Sequence, residues 1–247
     1  MKLLVPLFLV GLLSTPALSE TCSSYSATDI ANAIGSSSTA SSALKSTACT
    51  WGGAGKSESG GNTCASNGAN FGVLQLSTYN VQQAGYSPQQ YQALPLQQQV
   101  DVWASQVGNA NAGSGSVSTI SNAVASGQSI GATPATSGMA AACVQFGSLI
   151  CKNDLAALQA GQPCGGANPI AATAGKTGSL ANGTATEDGN GQSICSWGAN
   201  IQNNINGCTA AHCNPTYNNV TGGVAMPGSS PTTAPTVNSV PGLITAS

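Results

Sequence analysis

Nine cysteines, at 22, 49, 64, 143, 151, 164, 195, 208 and 213, constrain this chain more than any other feature. All of them lie beyond an apparent export signal: Lys2 supplies the positive start, Leu3–Leu13 the apolar run, and Ala17-Leu18-Ser19 a small-x-small cleavage site. That context predicts an oxidising compartment and a disulfide framework. Nine sulfurs form at most four bridges, so one thiol is left over. Cys143 and Cys151 pose a geometric condition. Eight residues of straight helix would hold them about 12 Å apart, beyond disulfide reach, so either Gly147 breaks the helix or their partners lie elsewhere. Cys208, His212 and Cys213 form the one local cluster of metal-ligating type, but adjacent ligands at 212 and 213 do not fit common zinc spacing. The expectation is therefore no metal and no cofactor, with Cys208 and Cys213 closing a short loop and Cys164 and Cys195 stapling the segment between them.

Charge excludes several partners. Charged residues make up 5% of the 247, and none is arginine, the residue best suited to bidentate phosphate binding. Nucleic acid is excluded on this ground. Once the signal is removed, four lysines face seven acids, so the mature chain is weakly acidic and not built to bind anionic surfaces by charge. So sparse a set of carboxylates also suits an acidic habitat, because it weakens the dependence of folding on pH. The apolar run of the signal is shorter than the roughly 20 residues a membrane span needs, no second run of that length follows, and no lipid-anchor box precedes Cys22. A soluble periplasmic or secreted product without a stable membrane anchor is expected.

Periodicity and capping signals predict a mainly α chain. Ile30, Ile34 and Leu44 mark one or two short helices. Trp51-Gly-Gly-Ala-Gly55 then reads as an interruption, since each glycine weakens a helix by up to about 1 kcal/mol. Ser77 or Thr78 caps a helix through Ala84, with Gly85 as its stop. Ser87-Pro88, with Gln90 in the capping-box position, starts another that Pro95 ends. Leu96, Val100, Trp103 and Val107 define an amphipathic helix over 96–107. Val117, Ile120 and Val124 mark the next, 139–150 reads as a buried helix, and Asn153 is expected to cap 154–160 before Gly161. Beyond Pro163 the composition shifts to Gly, Ala and Thr, with a short helix at 197–205, and the last stretch is rich in Pro, Ser, Thr and Val.

One stretch carries chemistry: Glu58-Ser-Gly-Gly-Asn-Thr-Cys-Ala-Ser-Asn-Gly-Ala-Asn-Phe-Gly-Val-Leu-Gln-Leu76 sets a carboxylate beside a glycine-rich turn. It resembles the catalytic motif of lytic transglycosylases, the lysozyme-like enzymes that cut peptidoglycan. The resemblance implies a lysozyme-like helical domain over 20–162, after a signal peptide over 1–19. A cysteine-containing irregular extension over 163–220 and a disordered tail over 221–247 complete the parse. The family's Gly-Ala-x-Gly is here one residue longer, Gly68-Ala-Asn-Phe-Gly72. Its later Ala-Tyr-Asn segment has a counterpart only in Ala142-Cys-Val-Gln-Phe-Gly147, which lacks the tyrosine.

Cutting a glycosidic bond needs an acid still protonated near neutral pH, hence a carboxyl in a poorly solvated site. Glu58 is the candidate; Lys56 would oppose the shift only if its ammonium came near. A hydrolase needs a second carboxylate, and the next acid after Glu58 is Asp101. The family resembled needs only one glutamate, which serves as acid and then as base while the muramic 6-hydroxyl attacks its own C1. By that resemblance Glu58 is the acid/base, Ser59 and Ser66 are hydrogen-bonding neighbours, Gly68 and Gly72 allow the turn, and Gln75 contacts the glycan. Trp51 is a further candidate for lining a glycan groove, whereas Trp103 is expected in the core. Peptidoglycan strands are the implied substrate, cut between N-acetylmuramic acid and N-acetylglucosamine for local wall opening, remodelling, secretion or conjugation. The alternatives are a hydrolytic lysozyme using Glu58 and Asp101, or an inactive lysozyme-like structural or peptidoglycan-binding protein.

Overall fold

The computed structural model describes residues 22–107, 115–164, 183–188, 190–211 and 213. The expected export signal, the tail over 221–247 and His212 lie outside the described residues. Nearly all the regular structure is helical: α1 (Ala27–Ser36), α2 (Ser42–Ser46), α3 (Ala48–Ser59), α4 (Thr78–Gln83), α5 (Pro88–Gln92), α6 (Leu96–Val107), α7 (Gly115–Ala125), α8 (Ser137–Gln159) and α9 (Ser196–Asn206). Two antiparallel hairpins, β1 (Asn70–Phe71) with β2 (Leu76–Ser77) and β3 (Ser129–Ile130) with β4 (Thr133–Pro134), complete it. Among the described residues no helix is long and apolar enough to cross a membrane.

The central element is α3, where a break was expected. It packs against α1, α8 and α9, and its glycines are what allow that approach. A Cβ on Gly52 would run into the carbonyl oxygen of Ala27 in α1; one on Gly53 would lie 2.6 Å from Ile205 Cγ1 in α9; one on Gly55 would lie 2.8 Å from Leu74 Cδ2. Local propensity disfavours these glycines in a helix, but the close packing they permit on three sides outweighs it. The helix ends at Gly60 in the left-handed region (φ 64), where Lys56 Nζ donates to the Gly60 carbonyl at 2.7 Å. Trp51 is fully buried, donates to Thr47 Oγ1 at 3.1 Å and lies 5.9 Å, centroid to centroid, from the equally buried Trp103. It belongs to the core and lines no groove, which corrects its candidacy as a glycan contact.

Local signals elsewhere translate directly. Ser87 and Gln90 form a reciprocal capping box with Pro88 in the first turn of α5, and Ser77 caps α4. One further correction concerns α8, which runs on to Gln159 with a single non-helical residue, Gly147 (φ 79, ψ 179). That break folds the chain back so that Cys143 and Cys151 pair with their Cα atoms 4.8 Å apart. Asn153 lies within α8 and caps nothing; its Nδ2 donates to the carbonyls of Gly183 and Ala185 at 3.0 and 2.7 Å.

Disulfides join Cys22 to Cys64 and Cys164 to Cys195, the latter as expected. The remaining three sulfurs, of Cys49, Cys208 and Cys213, lie within 4.8 Å of one another, with Cys49 against both of the others. A sulfur forms one disulfide, so Cys49 pairs with one of the two and the other keeps its thiol. The expected local Cys208–Cys213 loop gives way to a link between the start of α3 and the chain after α9. Quantitative alkylation of the denatured, unreduced chain is expected to label one thiol per molecule, and peptide mapping to find it at Cys208 or Cys213; label at Cys22, Cys64, Cys143, Cys151, Cys164 or Cys195 would contradict this pairing.

Residues beyond the expected 162/163 boundary take part in the same core. Ile194, Ile201 and Ile205 are fully buried in the same core as Ile30, Trp51 and Trp103. Gly138 in α8 and Gly198 in α9 let those helices touch backbone to backbone: a Cβ on Gly138 would strike the Gly198 carbonyl. The segment read as an extension therefore supplies a core helix and, through it, one side of the site.

Candidate active site

Glu58 occupies the last turn of α3, on the wall of a cleft of about 510 Å³. From the motif, Glu58, Ser59, Ala65, Ser66, Asn67 and Gln75 line it. Distant segments add Phe146, at the break in α8, Asp188, Asn190 and Gln192 from the segment before α9, and Trp197 in its first turn. Among the described residues that line this space, two are carboxylates and none is basic. The rest is amide, hydroxyl and aromatic surface, the composition that suits a neutral, hydroxyl-rich ligand with flat apolar faces.

Partial burial pushes Glu58 up from the ordinary 4.5 to about 7, and the negative charge of Asp188 adds to the shift. Lys56 does not oppose it, being turned to the Gly60 carbonyl. The C-terminal end of a helix, where carbonyls concentrate negative potential, disfavours an anion in the same sense. Among the described residues Glu58 has no hydrogen-bond donor to hold it ionised. The group is thus poised to carry a proton at neutral pH and to give it up to an acceptor in the cleft.

The turn beside it is held by a side chain that sequence reading missed. Gln99 of α6 is fully buried; its Oε1 accepts from Val73 N at 3.0 Å, and its Nε2, with two protons to give, lies 3.0–3.2 Å from the carbonyl oxygens of Thr63, Tyr91, Gln92 and Leu94. Gly72 (φ 77) leaves room for it, since a Cβ there would lie 2.5 Å from Gln99 Oε1, and Gly68 (φ 88) also takes the left-handed turn expected of it. Gln75 adopts φ 50, the one left-handed non-glycine residue described, a conformation that costs energy and is concentrated at functional sites. Its Nε2 donates to Gly72 O at 2.8 Å, leaving Oε1 with no hydrogen bond among the described residues.

The expected contacts divide accordingly. Ser66 is exposed at the cleft edge and accepts from Gly68 N at 3.0 Å, so its proton stays available. Ser59 lines the cleft, but its hydroxyl is 2.8 Å from both the Gly55 and Val73 carbonyls and accepts from Gly61 N at 3.0 Å. It ties the end of α3 to the turn and has no proton left for a ligand. Asp101 does not line the cleft; its carboxylate accepts from Gln97 of the same helix at 3.2 Å. The second carboxylate at the site is Asp188, and a sequence signal for it existed: Glu187 and Asp188 are adjacent in a chain with only seven acids.

A second perturbed acid lies outside the cleft lining. Asp154 is fully buried and its Oδ2 accepts from Ile194 N at 2.9 Å. Burial raises it to about 7 against that hydrogen bond, and the neighbouring buried Glu187 raises it further. For Glu58 and Asp154 the folded state holds the proton more tightly than the unfolded chain. Their contribution to stability is complete below the ordinary carboxyl values and is lost as pH rises toward about 7. Asp29 works in the opposite sense, held low by Ser26, but at the surface, where the effect is small. The melting temperature is therefore expected to fall from about pH 4 to about pH 8, and Asp154→Asn to flatten that slope; a melting temperature that rises across this range would contradict the assignment.

No family model, curated protein or solved structure matches this chain.

Proposed function

We propose that this chain is a peptidoglycan lytic transglycosylase of lysozyme-like ancestry, with Glu58 as its acid and base. The observation that carries the reading is Glu58 itself: a carboxyl raised to about 7 by burial at the end of a core helix, facing a cleft with aromatic and amide walls. The motif resemblance from Glu58 to Leu76 supports it, and so does the helix leading into the glutamate. Phe146 falls in the cleft from the segment where the resembled family carries a tyrosine, and with Trp197 it offers faces on which sugar rings stack.

In this reading protonated Glu58 gives its proton to the glycosidic oxygen as the bond to C1 breaks. The resulting carboxylate then takes the proton of the muramic 6-hydroxyl as that oxygen closes on C1, leaving a 1,6-anhydro end. Gln75 Oε1 and Ser66 Oγ are placed to bind hydroxyl or amide groups of the strand. Incubating the purified mature chain with peptidoglycan and analysing the soluble muropeptides tests this: 1,6-anhydro ends are expected, and intact sacculi after prolonged incubation would refute it.

A further inference from the structure

The cleft also holds what the motif around Glu58 lacks, a second carboxylate. Asp188 is fixed there by its own turn: Oδ1 accepts from Asn190 N at 2.8 Å and Gln192 N at 2.9 Å, and Oδ2 from Asn190 Nδ2 at 3.3 Å. Backbone bonds between Asp188 and Gln192, in which Asp188 N donates to Gln192 O at 2.9 Å, close the same turn. The turn is in turn anchored to the core, since Asn153 of α8 holds the carbonyls of Gly183 and Ala185 on one side of it and Asp154 holds Ile194 N on the other. Among the described residues Oδ2 accepts only the long bond, which makes it the oxygen better placed to act on something in the cleft.

We propose that Asp188 is a second catalytic residue, a base that activates water, so that the same cleft hydrolyses glycan strands as well as cyclising their ends. This rests on the reading of Glu58 as the acid. The two carboxylates line the same cleft, and the charge of Asp188 adds to the upward shift of Glu58. Their environments differ in the way an acid and a base require: among the described residues Glu58 has no hydrogen-bond donor, while Asp188 accepts three hydrogen bonds. In the hydrolytic step Glu58 protonates the leaving oxygen, which keeps the electron pair of its bond to C1. The oxygen of a water forms the new bond to C1 and its proton passes to Asp188. One water is consumed and one reducing end is formed; exchange with solvent returns Glu58 to the acid and Asp188 to the carboxylate. The competing cyclisation uses only Glu58.

Product analysis separates the two steps. Peptidoglycan is digested with the mature chain in oxygen-labelled water, reduced with borohydride and analysed by mass spectrometry, which distinguishes labelled reducing ends from 1,6-anhydro ends. The native chain is expected to give both. Asp188→Asn keeps an Oδ1 acceptor for Asn190 N and Gln192 N but removes the base, and is expected to lower the ratio of reducing ends to anhydro ends at least about tenfold. Anhydro ends alone from the native chain, reducing ends undiminished in D188N, or equal loss of both in a folded D188N would each overturn the role of Asp188 and leave that of Glu58 standing. No ends of either kind would overturn the reading of Glu58 itself. Should D188N fail to fold, the native chain still decides: labelled reducing ends support the proposal, and their absence refutes it.

Discussion

Glu58→Gln is expected to lower peptidoglycan cleavage by about three orders of magnitude, the middle of the range for removing a general acid, without unfolding the chain. Gln is nearly isosteric with Glu and no hydrogen bond from a described residue to Glu58 is lost, so the end of α3 keeps its cap at Gly60 and its tie through Ser59 to Val73. What disappears is the proton that Glu58 holds to about pH 7 in the cleft. Because the charged form of Glu58 is disfavoured by burial, the amide is also expected to melt no lower than the native chain at about pH 8. Muropeptide yield together with a circular-dichroism melt checks both parts. Undiminished cleavage would remove Glu58 from the mechanism, whereas loss of fold would mean that the carboxyl is structural.

The second large effect concerns packing. Gly52→Ala improves helix propensity by about 1 kcal/mol, and on local grounds it should stabilise the chain. The added Cβ would nevertheless strike the Ala27 carbonyl oxygen and lie 3.1 Å from both the backbone nitrogen and the Cβ of Ala31, so rigid backbone rather than a movable side chain must give way. Overpacking of that kind costs about 1–3 kcal/mol, occasionally more. A net loss of about 2 kcal/mol is expected, read as a lower midpoint in urea with the slope of the transition unchanged. Stabilisation by G52A would show that α1 and α3 are not packed as described.

These two substitutions mark where sequence reading succeeded and where it failed. The capping box at Ser87 and Gln90, the Ser77 cap and the apolar spacing of Leu96, Val100 and Trp103 act within a turn or two of helix. They are therefore visible in a short window, and α4, α5 and α6 follow from them. The glycines of α3 are also local, but their meaning is not: they read as breakers until Ala27, Ile205 and Leu74 are brought against them. The site divides in the same way. Glu58, Ser66, Gln75 and the two turn glycines sit in one contiguous motif and could be named from it. Phe146, Asp188 and Trp197 could not, because a bent helix, the Cys164–Cys195 bridge and the hydrogen bonds of Asn153 and Asp154 deliver them from distant segments. Trp51, adjacent to the motif in sequence, was misassigned for the converse reason: closeness along the chain placed it on the buried side of the same helix.

The account depends on Glu58 holding its proton at neutral pH, and a carboxyl-carbon NMR titration measures that directly. The chain has three glutamates, at 20, 58 and 187, so glutamate-selective labelling gives few signals, and Glu58→Gln identifies the one of interest. The expected midpoint is about 7, moving down in D188N as the neighbouring charge is removed. A midpoint at the ordinary 4.5 would contradict the account, because Glu58 would then be ionised at neutral pH and have no proton to give.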